Sequence, residues 1–65
     1  MQNLVMRYQG HAVEVRDCHG RVHRGVIEGI DPPRGMFIRS GFSRFFIPFF
    51  LIASIFLLSS RRRIF

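Results

Sequence analysis

Sixty-five residues with ten arginines or lysines, four acids and one cysteine make a single small domain of net charge +6. The length excludes a multi-domain enzyme, and the lone Cys18 excludes a disulfide within the chain. Chains below about 70–80 residues rarely supply enough core on their own, so help from neighbouring subunits or from a bilayer is expected.

Charge is unevenly spread. Residues 1–31 balance Arg7, Arg16, Arg21 and Arg24 against Glu14, Asp17, Glu28 and Asp31. Residues 32–65 hold Arg34, Arg39, Arg44, Arg61, Arg62 and Arg63 with no acid, together with all eight phenylalanines. Every basic residue is arginine. A guanidinium offers a planar fork to phosphate and stacks on rings, so this balance leans towards phosphate-bearing partners. Solubility and contact with lipid headgroups are the plainer reading of the same charges.

In chain order, Asn3–Tyr8 is expected as one or two helical turns ended near Gly10, because Leu4, Val5 and Tyr8 recur at near-helical spacing. His11–Cys18 alternates Val13 and Val15 with Glu14 and Arg16, the pattern of a half-buried strand. Asp17-Cys18-His19-Gly20 is the turn and Arg21–Ile30 the return strand, with Gly25 and Gly29 marking a bulge or bend. Asp31-Pro32-Pro33-Arg34-Gly35 breaks the chain. Met36–Arg39 is a third strand, Ser40-Gly41 a turn and Phe42–Ile47 a fourth strand. After Pro48, Leu51–Leu58 is a fifth strand or a helix, and residues 59–65 form a basic C-terminal tail. No apolar leader is visible in Met1–Gln9, and a cytoplasmic location is the expectation, with membrane association as the alternative. Five short strands with turn signals every eight to twelve residues give an all-β barrel or sandwich.

These residues resemble the Sm-like (LSm) family, bacterial type. The family's first motif is matched by Gly10, Val13, Val15, Gly20, Arg21, Gly25, Ile27 and Asp31, then Met36 and Ile38. The second is matched more loosely by Gly41, Ile47, Pro48, Ile52 and Ile55. The resemblance covers roughly residues 4–58, and related SH3-like barrels share part of it. It implies an N-terminal helical turn on a small five-stranded, strongly bent antiparallel barrel over residues 1–58. It also implies a homo-oligomeric ring in which the fourth strand of one subunit pairs with the fifth of the next, and RNA as partner. Three departures stand out. Phe37 occupies the place of the family's base-contacting Asn after the Met. The loop before Met36 is longer than the family's, with Pro32, Pro33, Arg34 and Gly35. The family's Arg-Gly pair is not clearly present, Ser40-Gly41 and Arg44 being the nearest candidates.

Arg34, Phe37, Arg39, Phe42 and Arg44 are therefore the candidate nucleic-acid face, with Asp31 carried over from the first motif. Arginines would meet phosphates and rings would stack on bases. Arg61, Arg62 and Arg63 are candidates for contact with anions, short of the cluster of 4–8 typical of lipid recognition. His11, Cys18, His19 and His23 lack metal-ligand spacing, so no metal and no cofactor are expected. No residue stands in a nucleophile or acid–base setting, so the chain reads as a non-enzyme.

Two alternatives remain at this point. Phe45–Ser60 is an uncharged run of 16 residues between Arg44 and Arg61, which as a helix reaches about 24 Å. That is short of the ~30 Å hydrocarbon core, yet a small membrane-associated protein is the main rival. A ligand-free oligomeric scaffold is the other.

Overall fold

Alternating branched residues, tight glycine turns and one proline-ended apolar run give this chain strands wherever periodicity is two. The computed structural model describes residues 1–31 and 34–65. A short helix α1 (Gln2–Arg7) leads into β1 (Ala12–Asp17), β2 (Val22–Asp31), β3 (Gly35–Ser40), β4 (Ser43–Pro48) and β5 (Ile52–Leu57), with a 3-10 turn at Phe49–Leu51. All five strands form one antiparallel sheet in the order β4-β3-β2-β1-β5. The break expected at Pro32-Pro33 lies outside the described residues.

The β1–β2 hairpin is organised by Asp17. Its Oδ1 accepts the backbone N–H groups of His19 and Arg21, each at 2.9 Å, and its Oδ2 meets His23 Nε2 at 3.0 Å. Gly20 closes the turn at φ 83°, a conformation that costs glycine nothing. The His23 contact, helped by the two backbone N–H groups, holds the Asp17 carboxyl below its ordinary range against the opposing effect of burial.

The sheet bends where the sequence placed its glycines. The β2–β3 register skips Glu28, passing from Ile27↔Ile38 to Gly29↔Phe37, and this bulge sharpens the local twist. Gly25 serves a different purpose: any Cβ there would overlap the Arg39 carbonyl and the Ile38 side chain. The absent side chain lets β3 fold closely over β2. The bent sheet wraps one core of Val5, Val13, Val15, Ile27, Met36, Ile38, Ile47, Ile52 and Ile55.

Two expectations need correction. The sheet is open, not a closed barrel: β4 and β5 are its two outer strands and share no ladder. The physical reason lies at β5, whose free side is taken by residues 62–65 of the same chain. The proposed membrane helix over residues 45–60 is also replaced, by β4, the 3-10 turn and β5. Pro48 stops one strand, and buried Ile47, Ile52 and Ile55 face the core on both sides of the turn. Among the described residues, no helix is long and apolar enough to cross a membrane.

Candidate nucleic-acid interface

Strand alternation puts the core residues on the inner face and a second set on the outer face. Cross-strand pairs on that outer face are Glu14↔Arg24, Arg16↔Val22, Glu14↔Phe56, Arg39↔Arg44 and Phe37↔Phe46. From these pairs the sheet builds two clusters of the same composition.

In the first, Glu14 on β1 lies between two arginines. Arg16 Nε donates to its Oε2 at 2.9 Å and Arg24 Nε to its Oε1 at 3.0 Å. The Arg16 guanidinium lies 4.7 Å from the centre of the Phe56 ring. The two guanidiniums, Arg24 first, hold the Glu14 carboxyl below its ordinary range.

In the second, Glu28 lies between Arg39 and Arg44. Arg44 Nε is 3.0 Å from its Oε1, and Arg39 Nε donates to its Oε2. The Arg44 guanidinium lies 4.4 Å from the centre of the Phe37 ring, which in turn packs 5.2 Å from Phe46.

The acids are tucked beneath and the bases stand proud. Side-chain exposure is 12% for Glu14 and 24% for Glu28, against 54–67% for Arg16, Arg24, Arg39 and Arg44. All four arginines meet their acid through Nε. A guanidinium held at Nε on an exposed side chain is oriented to grip a phosphate or a base edge.

The candidate residues from the sequence divide. Phe37, Arg39 and Arg44 come together in the second cluster. Arg34 and Asp31 do not join them; they pair with each other through Nη2 and Oδ2 at 2.9 Å, at the opposite end of β3. Phe42 is fully exposed at the β3–β4 turn. Arg61 approaches the first cluster, lining with Glu14, Arg16, Arg24 and Phe56 a cleft of about 360 Å³. Arg62 and Arg63 are exposed, and Arg63 Nε donates to the Phe65 carbonyl at 2.9 Å. His23 is engaged with Asp17, and no group of three metal-ligating side chains occurs among the described residues.

Sequence reasoning missed Glu14, Arg16, Arg24, Phe56 and Glu28 as parts of the site. The signal for the first three was present: a turn at Asp17–Gly20 fixes the hairpin register, and that register sets Glu14 opposite Arg24. Comparisons of the chain with family models, with curated proteins and with solved structures returned no match.

Proposed function

We propose that this protein is a non-enzymatic, oligomeric module of the Sm-like type that binds RNA or another nucleic acid on the outer face of its sheet. One observation carries the reading: two Arg–Glu–Arg clusters on that face, each with a guanidinium laid over a phenylalanine ring. The glutamates hold the arginines in place without neutralising them, since four guanidiniums face two carboxylates. The sequence motifs and the order of a short helix followed by five antiparallel strands support the Sm-like part. The outer edge of β4, with no second ladder among the described residues, supports association of copies.

Titration of a labelled single-stranded RNA over a range of salt tests the binding. Four phosphate contacts give log K a slope against log salt of about −3. Replacing Arg39 and Arg44 by Ala should make that slope shallower; affinity and slope both unchanged would remove these residues from the site.

A second reading, contact with an anionic membrane surface, is favoured by Phe42, 110% exposed in the turn that joins the strands of Arg39 and Arg44. Flotation with anionic vesicles, in the absence of RNA binding, would establish it over the first.

A further inference from the structure

The two outer strands of the sheet are finished differently. On β5, the free side is covered by residues 62–65 of the same chain. The Leu57 N–H donates to the Arg62 carbonyl at 2.8 Å, and the Ile55 N–H to the Phe65 carbonyl at 3.1 Å. The N–H groups of Ile64 and Phe65 donate back to the Ile55 carbonyl at 2.9 and 3.3 Å. Phe56 and Arg63 form an antiparallel bridge, and Ile64 packs on the core. On β4, the ladder with β3 is the only one among the described residues, and Phe45 and Phe46 are 44% and 42% exposed. A bare edge of this kind is a template for a strand from another chain.

We infer that residues 62–65 compete with β4 of a second copy for the same side of β5, and so decide how far copies join. The inference rests on the oligomeric part of the reading above. β4 and β5 are six residues each, so one can lie along the whole of the other. The only side of β5 open to it is the one that residues 62–65 hold, because β1 takes the other. With one open edge per chain, strand pairing joins two copies and stops. With two, it continues head to tail into a ring or a filament.

The covering segment is held under strain. The reversal that returns it to β5 passes through Arg61 at φ 59°, the one non-glycine residue with positive φ among those described. An L side chain is disfavoured there, which weakens the cover relative to an unstrained one. A competing strand meets a cover that can be displaced.

Sedimentation equilibrium on four chains tests this: the full chain, a chain ending at Ser60, Arg61→Gly and Arg61→Pro. Glycine relieves the strain and strengthens the cover. Proline, with φ near −65°, forbids the reversal while keeping residues 62–65 in the chain. The full chain and Arg61→Gly should stay at one or two copies, and the shortened chain and Arg61→Pro should pass beyond two. The far-ultraviolet spectrum checks that both retain their strands, and if the full chain already passes beyond two, Arg61→Gly should reduce that share. Four folded chains that all pass beyond two to the same extent would overturn the inference and leave the oligomeric reading intact. Four that all stop at two would overturn the inference alone, and four that all stay single would overturn both.

Discussion

The two arginine clusters reach the same composition by different routes. The first spans β1, β2 and β5, draws its charges from the electrically neutral half of the chain, and places its acid at an ordinary ladder position opposite Arg24. The second spans β2, β3 and β4, draws its arginines from the basic half, and takes its acid from the bulge that the β2–β3 register skips. The first lies in a cleft with Arg61 alongside; the second lies open beside exposed Phe46. The comparison shows that net charge along a sequence is a poor guide to a charged face. Residues 1–31 sum to zero, yet cross-strand pairing gathers Arg16 and Arg24 around one acid and leaves Asp17 and Asp31 elsewhere.

The heaviest blow to the comparison falls on what the clusters share. β2 supplies Arg24 to one and Glu28 to the other, with Gly25 between them at the close approach to β3. Gly25→Ala forces a methyl group against the Arg39 backbone and should cost about 3 kcal/mol in chemical denaturation, disordering both clusters together. Gly29→Ala meets no atom within 4 Å and should cost far less. Equal losses would show that the close approach is not what joins the two halves of the face.

Next come the arginines themselves. Replacing Arg16 and Arg24 by Ala should reduce the magnitude of the salt slope for single-stranded RNA by about 1.4, and replacing Arg39 and Arg44 should do the same. A loss confined to the second pair would restrict the site to the half that the sequence singled out. Smaller still is the contribution of the rings. A double-mutant cycle of Arg44→Ala with Phe37→Leu should show a coupling of about 0.5–1 kcal/mol in folding stability, and the cycle of Arg16→Ala with Phe56→Leu a similar one. Zero coupling in either would mean that the guanidinium does not rest on its ring in solution.

The mildest difference is in acid. Glu14 and Asp17 both have carboxyls held below the ordinary range, Glu14 by its arginines and Asp17 by His23. A lowered folded-state value means that their contribution is complete above the ordinary carboxylate range and is lost as pH falls through the lowered one. Thermal melts taken from neutral pH into acid should therefore fall off late, and Glu14→Gln should flatten that limb. An unchanged acid limb would argue that Glu14 is not gripped by Arg24 and Arg16.

Much of the fold was legible because local pattern and global packing agree here. Val13 and Val15 point inward, as their alternation requires, and the hairpin turns at Asp17–Gly20, where the sequence expects it. What sequence could not show was long-range. Whether Phe45–Leu58 was strand or helix depended on core contacts from β1 and β3. The return of residues 62–65 onto β5 follows from a reversal at Arg61, a residue type that gives no turn signal. At the site, Phe37, Arg39 and Arg44 were legible as a basic-aromatic run. Arg34 was grouped with them by proximity in sequence and Asp31 through the family motif, but β3 separates Arg34, just before its start, from Arg39 near its end.

The central claim is that the outer face, with its two clusters acting together, is where nucleic acid binds. The most direct measurement is the salt dependence of single-stranded RNA binding by the chain with Arg16, Arg24, Arg39 and Arg44 all replaced by Gln, after its melting curve confirms folding. The expected result is a slope reduced to near zero and binding lost at moderate salt. Binding with the slope and affinity of the unaltered chain would contradict the account.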